Sequence, residues 1–276
     1  MQHTSATISS PDGLTLFTRQ WTPDARTVAR VFLVHGVHEH SGRYAYVASL
    51  LMQHGIEVHA IDLRGHGQSE GERATVASFS DYSDDVALAL RPVLEGADVP
   101  VFLLGHSMGG LVVSRVIVDH GGDGLAGLIL SSPALAVEAP APLRALAPVL
   151  ARWLPRLPVT ALDLSRLSRD PRVETSYRED PLCTKSGVRA HLGYELLRSI
   201  EHVRENVDAF TLPMLLFHGT DDTLTSPAGS EWMAAHAPSD DVTLTLYEGF
   251  YHETMNELER DRVIGDLTRW ILEHAA

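Results

Sequence analysis

Two kinds of apolar run alternate along this chain. Short, nearly unbroken apolar stretches at residues 31–34, 56–61, 101–104, 125–130 and 214–217 read as buried strands. Residues 15–21, after the turn Pro11-Asp12-Gly13, and residues 243–247 alternate as half-buried strands do, the first as an edge strand. Between them, apolar residues recur three or four apart. This spacing predicts helices over 44–54, closing on Gly55, over 79–94, with Asp81, Asp84 and Asp85 in its first turns, after Gly109-Gly110, and over about 256–274. Strands alternating with helices at this spacing predict an α/β fold, a mainly parallel sheet covered by helices on both faces. In such sheets, sites form outside the carboxyl ends of the strands.

The alternation fails once. Between the strand ending near Ser131 and the one starting at Met214 lie about 80 residues without a convincing buried strand, too many for a plain loop. They read as an inserted cap, residues 136–208, on a core formed by 1–135 and 209–276. Its first part sets Leu143, Leu146, Ala147, Leu150, Trp153, Leu154 and Leu157 on one helical face, broken or kinked at Pro148. Residues 139–162 carry Arg144, Arg152 and Arg156 and no acid. One reading is a helix packing its apolar face on the core with solvated arginines. The other is a lid that touches membrane or micelle surfaces transiently, with Leu146, Leu150, Trp153 and Leu154 around the opening to a substrate site.

The chemistry centres on Gly105-His106-Ser107-Met108-Gly109, a G-x-S-x-G sequence between a predicted strand and a predicted helix. A sharp strand-to-helix turn exposes the serine at a helix N-terminus, where free N–H groups and the dipole favour a developing oxyanion. A serine hydroxyl needs a base oriented by an acid, and in this chain order both follow it. His252, just beyond the last predicted strand, stands where the base should. After the strand at 214–217 stand Asp221 and Asp222; Asp222 is preferred, with Asp221 as a turn-former. The loop HGVHEHSGR after residue 34 should supply the second oxyanion N–H, from Val37, beside that of Met108.

Composition narrows the reading. A net charge of −14 argues against nucleic-acid partners, which need a concentrated positive face. Cys183 is the single cysteine, which excludes an intramolecular disulfide and suits a reducing cytoplasm. The first residues lack the basic start and apolar core of a signal peptide, and no apolar run approaches about 18 residues, so a soluble cytoplasmic protein is expected, peripheral at membranes through the cap. His35, His38 and His40 could be read as a metal cluster. No carboxylate or cysteine recurs at metal-like spacing, so no metal and no cofactor are expected.

Taken together, HGVHEHSGRY, DLRGHGQSEG, GHSMGG, SYREDPLCTKSG, HGTDD and YEGFYHE resemble the monoacylglycerol lipases of the α/β-hydrolase fold, the bacterial ones especially. The resemblance runs from about Gly13 to the last helix. It implies an eight-stranded sheet with a helical cap, Ser107 as nucleophile, Asp222 as acid, His252 as base, and Val37 and Met108 as the oxyanion hole. It also implies glycerol-end contacts from Glu39 and Tyr177, while Met255 departs from the mammalian pattern, which has a histidine there. The implied activity is a carboxylic ester hydrolase acting on a lipid ester, releasing glycerol and fatty acid from monoacylglycerols. A broader carboxylesterase or lysophospholipase, or an acyltransferase on the same fold, would keep these residues. The sequence sets neither an oligomeric state nor a chain-length or positional preference.

Overall fold

The computed structural model describes residues 2–137 and 140–276; Glu138 and Ala139, inside the predicted cap, and the side chain of Leu143 lie outside the described residues. Eight strands form one sheet: β1 (Gln2–Ser9), β2 (Thr15–Thr22), β3 (Ala29–Val34), β4 (Ile56–Ile61), β5 (Val101–His106), β6 (Gly127–Ser131), β9 (Met214–Gly219) and β10 (Val242–Tyr247). A separate ribbon pairs β7 (Pro158–Thr160) with β8 (Val188–Arg189). The helices are α1 (Ala45–Gln53), α2 (Ser80–Glu95), α3 (Met108–His120), α4 (Ala141–Trp153), α5 (Pro171–Glu179), α6 (Ala190–Glu205), α7 (Ala228–His236) and α8 (Arg260–Glu273). The sheet order is β1-β2-β4-β3-β5-β6-β9-β10, parallel from β4 to β10 and antiparallel at β1 and β2.

The central strands are apolar throughout because helices cover both of their faces. On one side Tyr82, Val86, Leu111 and Val112 of α2 and α3, with Phe79 just before α2, pack against Phe32, Leu103 and Leu128. On the other, α1 and α8 bring Val47, Leu51, Ile264 and Trp270 against Val31, Phe102 and Leu104. Burying each such aliphatic or aromatic side chain stabilises by about 1.5–3 kcal/mol. The Trp270 ring stands edge-on to Phe102 and lies so close to Gly127 that a Cβ there would sit 2.7 Å from it.

Three expectations are corrected. Residues 15–21 do not form the edge, because β1 pairs along the whole of β2, from Gln2 opposite Thr22 to Ser9 opposite Thr15. The sequence QHTSATIS gave no signal for this strand: it is solvated on both sides and has no apolar alternation. The last helix starts at Arg260, after a short 3-10 turn at Thr254–Asn256. Finally, of the break or kink expected at Pro148, the break is absent: α4 continues as one helix past it. Gly55 closes α1 with φ 75°, as a helix-ending glycine should.

Polar groups are buried where the strands end. His38, His66 and His106 are among them, and burial is the main cause that lowers their pKa values, to about 4, 3 and 4. The unfolded chain protonates these rings near 6.5, so between pH 6.5 and about 4 it binds protons that the folded chain refuses. Stability should therefore fall as pH drops through this window, with His252, whose pKa is raised, acting in the opposite sense, measurable as the urea midpoint against pH. A flat midpoint there would contradict the buried, neutral rings.

Candidate active site

Ser107 stands at the turn between β5 and α3 with φ 54° and ψ −121°. A non-glycine residue holds such a conformation at a cost of about 1–3 kcal/mol. Its glycine neighbours make the turn feasible: a Cβ on Gly105 would strike the Gly109 carbonyl, and one on Gly109 would strike the carbonyls of Val34 and His35. The hydroxyl is thus left at the first turn of α3, where unpaired N–H groups gather.

His252 arrives on the loop after β10 and Asp222 on the loop after β9. A carboxylate only accepts, so His252 Nδ1–H donates to Asp222 Oδ2 at 2.7 Å, and Nε2 presents its lone pair to Ser107 Oγ at 2.8 Å. Asp222 is itself held in place. Its Oδ1 accepts the N–H groups of Leu224 and Thr225 at 2.8 and 3.1 Å, and its Oδ2 lies 3.0 Å from His218 Nε2 and 2.9 Å from Thr225 Oγ1. The Ser230 hydroxyl, 2.8 Å from His218 Nδ1, leaves His218 Nε2 as the donor. Asp221, by contrast, faces solvent.

Electrostatics follow this geometry. Burial alone would raise the Asp222 pKa, but the His252 and His218 partners drive it well below the usual carboxylate range. Burial alone would lower the pKa of His252; the Asp222 charge and hydrogen bond, with Glu253 and Glu39 beyond, reverse this and hold it above the ordinary histidine value.

Ser107 and His252 open into a cavity of about 310 Å³, where Val37 and Met108 also lie. Its walls include Val159, Leu162, Val188 and Leu196 of the segment between β6 and β9, and Leu224 beside Asp222. From α4, Leu150 lines it together with Ala147 and Arg144. Leu146, Trp153 and Leu154, expected beside it, instead point to solvent at 53%, 71% and 53% exposure. The apolar face of α4 is thus split: one edge roofs the cavity and the other is bare.

Glu39 and Tyr177, expected at a glycerol end, do not line this cavity. Glu39 is buried against the Gly36 N–H, the Tyr44 hydroxyl and Arg43, and the Tyr177 hydroxyl donates to the His38 carbonyl at 2.9 Å. Met255 is buried in the core against the α8 side of the sheet. Sequence reasoning missed the supporting groups His218, Thr225, Arg43 and Glu253. His218, four residues before Asp222, could have been found from the strand-end position; Arg43 and Glu253 lie 210 residues apart and gave no signal.

The three histidines of the early loop do not converge as a metal cluster. His35 accepts from the Leu63 N–H and lies 2.7 Å from the Gly36 carbonyl, so both ring nitrogens are engaged. His40 does come within 4.8 Å of Asp180 and Cys183. Its Nδ1, however, accepts from the Gly42 N–H, which leaves the proton on Nε2, donated to Asp180 at 2.9 Å. This is a closed hydrogen-bonded pair.

Because Nε2 must be unprotonated to take the serine proton, turnover of a p-nitrophenyl ester should fall on acidification with a midpoint above 6.5. Asp222→Ala should lower kcat by about 10⁴-fold and Asp221→Ala should leave it nearly unchanged, as read by steady-state kinetics. Equal losses in both variants would contradict the geometry.

Comparison with known proteins shows the family of the chain. The family model described as serine aminopeptidase, S33, matches residues 25–259. The monoacylglycerol lipase of Mycolicibacterium smegmatis is 36% identical over 260 residues, covering 92% of this chain and 91% of that protein. The monoglyceride lipase of Homo sapiens is 36% identical over 271 residues, covering 96% and 89%. Among solved structures, the monoacylglycerol lipase of Paleococcus ferrophilus superposes with a TM-score of 0.81 at 32% identity, covering 99% of this chain and all of that one. With a serine-bearing elbow on an eight-stranded α/β sheet and relatives of this identity along nearly its whole length, the chain belongs to the monoacylglycerol lipase family of α/β-hydrolases.

Proposed function

We propose that this protein is a carboxylic ester hydrolase that cleaves monoacylglycerols into glycerol and free fatty acid through an acyl-enzyme intermediate. The observation that carries the reading is the line Ser107–His252–Asp222 at the floor of a largely apolar cavity. In this reading Ser107 Oγ attacks the ester carbonyl while His252 Nε2 takes its proton. The N–H groups of Val37 and Met108 receive the oxyanion, and His252 returns the proton to the leaving glycerol oxygen. Water, deprotonated by the same imidazole, then releases the fatty acid. Asp222 keeps the ring in the right tautomer and stabilises its charged form. The cycle calls for no cofactor. The apolar walls suit an acyl chain, each buried methylene contributing about 0.8 kcal/mol.

Segment 136–208 acts as the cap over this cavity. Its outer face supports a second element of the proposal. Leu146, Val149, Trp153, Leu154 and Leu157 are all exposed, and the Arg152 guanidinium lies 5.4 Å from the Trp153 ring centroid. Such a patch suits a lipid interface, with the aromatic ring and cation at the headgroup level. Among the described residues no helix is long and apolar enough to cross a membrane. We infer that the protein is cytoplasmic and meets membrane or micelle surfaces transiently through this patch.

The test is fatty-acid release from a 1-monoacylglycerol beside the matching di- and triacylglycerols, with Ser107→Ala as control. Serine-dependent turnover of the monoacylglycerol alone is expected. Hydrolysis of a small activated ester with no release from any of the three would move the substrate to another ester. A Trp153→Ala, Leu154→Ala variant should partition less onto liposomes and lose rate on long-chain substrate, its small-ester rate being kept; unchanged partitioning would remove the interfacial role.

A further inference from the structure

The two loops that must meet at Ser107 come from distant parts of the chain, one carrying the Val37 N–H after β3 and the other His252 after β10. One buried side chain joins them. Arg43, in the 3-10 turn Ser41–Tyr44, donates through Nη1 to Glu39 Oε2 at 2.5 Å and through Nη1 and Nη2 to the two oxygens of Glu253 at 2.7 and 2.8 Å. Each acid passes the constraint on. Glu39 Oε1 accepts the Gly36 N–H at 2.6 Å and the Tyr44 hydroxyl at 2.8 Å, which fixes the peptide just before Val37. There is no slack in this packing, since a Cβ on Gly36 would lie 2.9 Å from Glu39 Oε1 and 3.1 Å from Ser107 Cβ. Glu253 directly follows His252, and its second oxygen also accepts from Asn256 Nδ2 at 2.8 Å.

The cap closes the same frame. The Tyr177 ring stacks 4.9 Å from the Arg43 guanidinium. Its hydroxyl and the Thr184 N–H both donate to the carbonyl of His38, at 2.9 and 2.8 Å, and His38 itself stands at φ 66°. The Glu253 N–H in turn donates to the Leu167 carbonyl at 2.7 Å. Side chains of Arg43, Glu39 and Glu253 are 10%, 4% and 5% exposed. Buried ion pairs are weak sources of net stability because desolvation offsets their attraction. What this one secures is geometry.

We propose that Arg43 is a positioning residue for the reaction, holding the oxyanion-hole loop and the base loop in one frame, with Tyr177 sealing it from the cap. This rests on the serine-hydrolase reading given above. It gives Glu39 and Tyr177 a role other than contact with glycerol: both act through the loop backbone. The frame also sets charge. Two carboxylates against one guanidinium leave one net negative charge close to His252. The groups facing that imidazole are Asp222, backed by His218; Glu253 and Glu39, backed by Arg43; and the His106 ring, 4.9 Å away. From the cap turn Leu164–Arg166, the Arg166 guanidinium turns instead onto the Tyr251 ring and the Asp221 carbonyl.

The experiment compares wild type with Arg43→Met, Arg43→Lys and Glu253→Gln on a soluble p-nitrophenyl ester, with folded fraction measured by circular dichroism and Ser107→Ala as control. Arg43→Met should lower kcat by about 10²-fold, the scale of a displacement of about 1 Å at the reacting atoms, with KM nearly unchanged. Arg43→Lys should recover part of the rate, though not all, because an ammonium cannot bridge two carboxylates in a planar fork. Glu253→Gln is nearly isosteric and removes one negative charge facing His252, so its acid limb should move to lower pH. Two results would overturn the proposal: Arg43→Met losing rate only in proportion to folded protein, or the Glu253→Gln limb staying at the wild-type position. Absence of Ser107-dependent turnover in wild type would instead sink the hydrolase reading itself.

Discussion

A single imidazole has to satisfy two partners at once. His252 must give its Nδ1 proton to Asp222 and keep Nε2 open toward Ser107, and the two contacts, at 2.7 and 2.8 Å, leave little room for error. Much of the surrounding structure meets this demand. The parallel sheet delivers all three residues at the same edge because β5, β9 and β10 run in the same direction, and their carboxyl ends therefore lie together. The strained elbow lifts Ser107 to meet the ring, and the close approach of α3 to β3, which only glycine at position 109 permits, keeps the elbow from relaxing.

Burial makes the arrangement effective and also demanding. In a site shielded from water, charges act strongly on one another, and each buried polar group needs a partner. Asp222 has five donors, Glu39 three, and Glu253 is gripped by Arg43 and Asn256. The resulting order is asymmetric around the imidazole: carboxylates dominate, which favours its protonated form.

The segment between β6 and β9 follows a different physical logic. Helices on the core turn their apolar faces inward, whereas α4 exposes Leu146, Val149, Trp153 and Leu154 and turns Ala147 and Leu150 to the cavity. The segment nevertheless does not float. Tyr177 and Thr184 bind the His38 carbonyl, and the Arg166 and Leu167 carbonyls accept from the loop of His252 and Glu253, so this part of the segment is tied to the site while α4 lies further out.

The central strands, the elbow that carries Ser107, the strand-end positions of Asp222 and His252, and the long stretch between β6 and β9 were legible in the chain. Each leaves a local mark: an unbroken apolar run, a glycine pair around a serine, a residue just past a strand, or a missing strand over many residues. β1 was not legible, because a solvated edge strand has no apolar alternation and exists only by pairing with β2. Nor was the facing of α4, since its stripe looks the same whether it meets core, cavity or water. Arg43 and Glu253 show the limit most clearly: two ordinary charged residues become a buried bridge solely because folding brings together loops far apart in the chain. Local physics, the preferences of backbone and side chain over a few residues, decided the elements and the elbow that carries Ser107. Long-range packing decided which charges meet and which apolar surface stays bare.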